Sequence, residues 1–129
     1  MNPYFRAPPD SALYEEEAFG AARAEFFEVR DRFVDRLVCA QFFDAERFEA
    51  MLLWLGVLKR FHEANAEPVP ATYFAPAALI TNHLEIQSRY SKTQQTVCAA
   101  ASAKWTRTVE QFTISEERGP NQSALPTPV

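Results

Sequence analysis

The sequence predicts an all-α fold: a small three- to four-helix bundle with a Pro-rich N-terminal leader and C-terminal tail. Three observations carry this expectation. Apolar residues recur every three or four positions through long stretches, the spacing of a helix that buries one stripe. The nine prolines sit at 3, 8, 9, 68, 70, 76, 120, 126 and 128, leaving 10–67 and 77–119 free of the residue that breaks helix interiors. Glycine occurs only three times in 129 residues, too sparsely for the hairpin turns and bulges of a sheet protein.

The first element is expected from about 11 to 41. Asp10 or Ser11 can cap it, and Glu15–Glu17 place negative charge where the helix dipole favours it. Phe19, Ala22, Phe26, Val29, Phe33, Leu37 and Ala40 then follow at helical steps, and Phe27, Val34 and Val38 widen the stripe to half the cylinder. The stretch reads as one helix, with Gly20 an optional point of division, and Phe42–Phe43 is the corner after it. Asp44 reads as the N-cap of a second helix, 45–64, which is apolar nearly all round and therefore central. Asn65 is its stop signal. Pro68 and Pro70 mark 67–75 as an extended linker.

Pro76 fits the first turn of a third helix. Leu79, Ile80, His83, Leu84, Ile86 and Tyr90 carry its apolar positions, and Val97, Cys98, Ala101, Trp105, Val109 and Phe112 carry those that follow. Ser91-Lys-Thr-Gln94 has the form of a capping box, so a break near 91 divides this stretch into helices 77–90 and 92–113. Residues 1–10 are expected to be a flexible leader, 11–115 a single helical domain, and 116–129 a mobile tail.

Composition narrows the function classes. Apolar residues make up 47% and aromatics 13%, enough for a core without a metal or disulfide staple. The net charge of −4 gives no global sign of nucleic-acid binding. The charge is unevenly spread: 11–67 holds seven Lys/Arg against twelve Asp/Glu, whereas 68–115 holds four against two. Cys39 and Cys98 lie in helical apolar patterns, which favours reduced thiols in an intracellular, soluble protein over a bridge between helices. MNPYFRAPPD lacks the apolar run of a signal peptide. The longest apolar run, Ala50–Val57, is far short of the roughly 20 residues that span a bilayer, so no membrane partner is expected.

There is no phosphate loop, nucleophile elbow or paired metal-ligand motif. No cofactor or metal is expected, and a non-enzymatic role is favoured. His62 and His83 lie on apolar helix faces and are the candidate ligands or proton carriers. The bland alternative is a packed histidine with one hydrogen-bond partner. Neighbouring Glu63 and Glu85 diverge from them by about 100° and 200°, too far to share an ion.

Arg23 and Arg30 are more informative, because they sit seven residues apart among Phe26, Phe27, Phe33 and Val34. An arginine there snorkels, pairs internally with a carboxylate such as Glu49, or anchors an interface. The interface candidates are therefore Arg23, Phe26, Phe27, Arg30 and Phe33. A continuous helix over 77–113 would also align Arg89, Lys92, Lys104 and Arg107 within about 60°, a stripe able to meet phosphates but diluted by Glu85 and Glu110. A break at 91 removes that alignment. Asn2-Pro-Tyr-Phe-Arg and the final Thr127-Pro-Val129 resemble short linear ligands only by chance-level patterns.

The expected function is a self-associating or protein-binding helical assembly module. Nucleic-acid binding through 89–107 stands second, and a ligand-binding or catalytic bundle using His62 or His83 stands third. The wide apolar face of the first helix leads this order, since surplus apolar surface is commonly buried in a symmetric partner.

Overall fold

The computed structural model describes residues 2–74 and 77–118. A 3-10 helix at Asp10–Tyr14 precedes α1 (Glu16–Cys39) and α2 (Ala45–Ala64); a second 3-10 helix at Ala71–Phe74 precedes α3 (Ala77–Tyr90) and α4 (Gln95–Arg118). Among the described residues every regular element is helical. α1 packs along α2 and α3 along α4, so the bundle is two antiparallel hairpins, joined in part by contacts of α1 with α3. Pro76, expected in the first turn of α3, lies outside the described residues, as do 119–129.

The first hairpin follows from its aromatic ladder. Phe26, Phe33 and Leu37 of α1 are fully buried, as are Met51, Leu55 and Leu58 of α2. Phe33 meets Phe43 and Phe48 at ring distances of 5.9 and 5.4 Å near the corner, and Phe19 meets Phe61 at 5.4 Å at the far end. Each such side chain contributes roughly 1.5–3 kcal/mol on burial. The first helix does not run unbroken from 11, and Gly20 does not divide it. The interruption is at Glu15, whose φ of −100° and ψ of 121° are extended, and whose N–H closes the preceding 3-10 turn onto the Ala12 carbonyl. Gly20 is an ordinary helical residue.

Asp44 caps α2 as expected. Its carboxylate accepts from the Arg47 N–H at 3.1 Å and pairs with the Arg47 and Arg36 guanidiniums at 2.8 and 3.3 Å. Burial pushes the Asp44 carboxyl up, but the Arg47 hydrogen bonds and the two arginine charges outweigh it and hold it below its ordinary value. α2 ends in a Schellman motif: Glu67 N–H reaches the His62 carbonyl at 2.8 Å and Ala66 N–H the Glu63 carbonyl at 3.2 Å. Ala66 takes the left-handed position, φ 55°, where glycine is usual.

The second hairpin is held by Ile80, Leu84, Cys98 and Trp105, all fully buried, and by the Trp105 indole donating to the Ala77 carbonyl at 3.4 Å. The expected break is present. Ser91 Oγ accepts from the Gln94 N–H at 3.0 Å. The capping box is only half made, because Ser91 N–H is already taken by the Gln87 carbonyl. Gln94 is thereby freed, and its amide brackets Phe43, accepting from its N–H at 3.1 Å and donating to its carbonyl at 3.2 Å. α4 runs to Arg118, beyond the expected end at 113.

The leader is also placed. Asn2 donates to the Glu46 carbonyl at 2.7 Å and to Glu49, Trp54 Nε1 donates to the Tyr4 carbonyl at 2.9 Å, and Phe5 stacks edge-on against Trp54.

Candidate functional site

The aromatic face of α1 is consumed within the chain. Phe26 and Phe33 are fully buried and Phe27 is half-buried against Phe26 and Tyr73. The surplus apolar surface inferred from the half-cylinder stripe is covered by α2 and the linker, so Phe26 and Phe33 are core residues and offer nothing to a partner. Arg30 stacks 4.8 Å from the centre of the Phe27 ring, donates through Nη1 to the Thr72 carbonyl at 3.0 Å, and pairs with Asp31. Its stem packs and its head ties the linker to α1. The anticipated partner Glu49 is engaged by Asn2 instead. Arg23 is exposed, with its guanidinium 5.1 Å over Phe19.

His62 is 5% exposed and gathers residues from three elements. Its Nε2 lies 2.9 Å from the hydroxyl of Tyr73, itself buried in the linker's 3-10 helix. Its Nδ1 has no hydrogen-bond partner and faces the Glu67 carboxylate at 3.6 Å. Phe19 of α1 closes the side with a ring edge at 5.1 Å. Burial pushes the imidazole below its ordinary range; Glu67 opposes this and Arg23 adds to it. Burial likewise pushes the Tyr73 hydroxyl up, against the Arg23 charge. A neutral ring that accepts from Tyr73 at Nε2 and turns Nδ1–H toward Glu67 satisfies the local charges best. The pair is enclosed, and its hydrogen bond ties the linker's 3-10 helix to the end of α2.

His83 lies elsewhere, half-exposed on α3. Among the described residues no hydrogen bond or ion pair links the two histidines, and no group of three His, Cys, Asp or Glu side chains is placed to hold a metal ion. Both cysteines are free: Cys39 is exposed and donates to Asp35 at 3.5 Å, and Cys98 is buried. The Asp35 hydrogen bond and charge raise the Cys39 thiol, and burial raises Cys98.

Arg89, Lys92, Lys104 and Arg107 are all exposed. The break at Ser91 puts Arg89 and Lys92 at the turn of the second hairpin. Lys104 lies about 13 Å farther along α4 than its first residue, at about 1.5 Å per residue. The single basic line is therefore absent, as a broken helix requires.

The apolar positions of α3, read together as one face, divide into two. Ile80 and Leu84 are fully buried with Gln87 beside them against the core. Leu79, Ile86 and Tyr90 are 37, 47 and 75% exposed. With His83 they fall within about 60° of one line on the outer side of the helix. Sequence periodicity alone does not separate the two sets, because both repeat at helical steps and the polar Gln87 shares the buried face. Val97, just beyond the turn, is also exposed.

No helix among the described residues is long and apolar enough to cross a membrane. Comparison with known proteins finds no matching family model, no matching curated protein and no matching solved structure.

Proposed function

We propose that this chain is a non-enzymatic helical interaction module that associates with further copies of itself. One observation carries the reading: α3 keeps Leu79, Ile86 and Tyr90 exposed along one side, with the half-buried His83 among them, after Ile80 and Leu84 have been used in the core. Single exposed apolar residues need no explanation, but a row of them along one helix marks a contact surface. The expected surface thus moves from α1 to α3. The non-enzymatic part of the reading is supported by His62, which is enclosed with Tyr73, and by His83, which stands apart from it on α3.

Light scattering coupled to size exclusion, run over rising protein concentration, tests the proposal. A mass that climbs from one chain toward two or more supports self-association. A mass of one chain throughout the range refutes it.

A further inference from the structure

We propose that the His62 cluster is an acid-operated latch: a proton on His62 frees the Tyr73 side chain, and with it the Ala71–Phe74 turn, from α2, while the end of α2 stays closed. The latch is independent of self-association. Hydrogen-bond parity is the first argument. In the neutral ring Nδ1–H faces Glu67, which leaves Nε2 as the acceptor for the Tyr73 hydroxyl at 2.9 Å. The added proton therefore goes to Nε2. That atom becomes a donor, and the Tyr73 hydroxyl proton loses its acceptor. The cluster holds no substitute. Arg23 is a donor only, and Glu67 lies on the Nδ1 side of the ring. Tyr73 is 2% exposed, so water does not readily replace the lost partner.

Charge is the second argument. Phe19 and Arg23 face the cluster from α1, Glu67 from the loop after α2, and Tyr73 from the 3-10 turn. Glu15 and Glu16 line the cleft in front of Phe19 and Glu67. An imidazolium is drawn toward the Glu67 carboxylate at 3.6 Å and repelled by Arg23, whose charge also bears on Tyr73. Protonation thus tightens the ring on Glu67. The Glu67 N–H already closes the end of α2 on the His62 carbonyl at 2.8 Å, a bond that titration of the ring does not touch. The side that yields is Tyr73.

The position of the turn gives the release its effect. Tyr73 packs against Phe26 and Phe27 of α1 at ring distances of 5.5 and 5.8 Å, and its neighbour Phe74 packs against Phe112 of α4 at 5.2 Å. The turn is therefore a joint between the two hairpins, and freeing it loosens one against the other. Arg30 holds the Thr72 carbonyl whatever the state of His62, so the turn swings on that tether rather than leaving the bundle.

The experiment is an NMR titration of the whole chain from pH 7.5 to 5.0, reading the His62 and Tyr73 rings and the amides of 67 and 71–74. The expected result is that Tyr73 and 71–74 shift with the midpoint of His62 and that the contact between the Tyr73 and Phe26 rings is lost. The Glu67 amide keeps its protection from exchange. Glu67→Gln, a change at an exposed side chain, is expected to lower the midpoint of His62 and of the turn together, because the charge that favours the imidazolium is gone. His62→Gln is expected to abolish the response of the turn. A turn that stays in place while His62 titrates overturns the latch, as does a Glu67 amide that opens at the same midpoint. A midpoint that Glu67→Gln leaves unmoved, a response that survives His62→Gln, or a His62 that titrates only as the whole chain unfolds overturns it equally.

Discussion

Replacing Tyr73 by phenylalanine removes one oxygen from the His62 cluster and leaves the shape of the side chain intact. His62 Nε2 then loses its partner at 2.9 Å, in a ring whose Nδ1 already has none. A buried polar group left unsatisfied costs about 1–3 kcal/mol. With His62 only 5% exposed, water cannot readily substitute, so the expected cost is about 2 kcal/mol. For a chain of this size that lowers Tm by about 8 °C, at about 4 °C per kcal/mol. Urea and thermal unfolding followed by circular dichroism at pH 7.5 measure it. His62→Leu orphans the Tyr73 hydroxyl instead and has a similar cost. The double variant removes both polar ends, so its loss falls well short of the sum of the single losses. A Tyr73→Phe protein within about 0.5 kcal/mol of wild type, a change typical of neutral surface positions, would refute the reasoning. So would losses that simply add in the double variant.

Acid should weaken the fold in two separate windows. The neutral form of His62 is favoured by burial, so its contribution is complete above the unfolded value of 6.5 and is lost as pH falls from there toward the lowered folded value; unfolding at pH 5.0 and 7.5 checks it, and His62→Leu flattens the difference. The Asp44 carboxyl is held low, so its share persists down to about the unfolded value of 3.8 and is lost below it. Asp44→Ala removes the cap and leaves Arg47 without its charge partner, an expected loss of about 2 kcal/mol in urea unfolding at neutral pH. Opposite exchanges should both stabilise: Gly56→Ala by about 0.5–1 kcal/mol, since a Cβ there meets nothing within 4 Å, and Ala66→Gly by a similar about 0.5–1 kcal/mol, since its φ is 55°. Trp54→Phe deletes the donor to the Tyr4 carbonyl, so limited trypsin cleavage after Arg6 should quicken severalfold.

Elements whose ends are written in local chemistry were legible. Asp44 announces α2 because a short carboxylate before an apolar run satisfies a free N–H, and Ser91 marks the α3–α4 break in the same way. The start of α1 was misplaced because the interruption is an extended backbone at Glu15, which has no side-chain cap hydrogen bond to announce it. The His62 site was half legible. The buried histidine stood out on its helix face, but its partner Tyr73 lies in a stretch whose prolines suggest an extended linker, and only tertiary packing winds 71–74 into a 3-10 turn. The two faces of α3 could not be separated from periodicity, since a wide stripe and two adjacent narrow ones look alike until a neighbour chooses one.

The bracket that Gln94 forms around Phe43 has a kinetic consequence. The side-chain amide offers the corner backbone the acceptor and donor that a neighbouring strand would offer, across 51 positions of sequence. Each helical hairpin closes through near neighbours and forms early, whereas this clasp can only shut once both are built. It belongs to the last step of assembly and to the first step of its undoing. Gln94→Ala should therefore leave the folding arm of the chevron in place and raise the unfolding arm, making the clasp a governor of how long the native state survives rather than of how quickly it is reached.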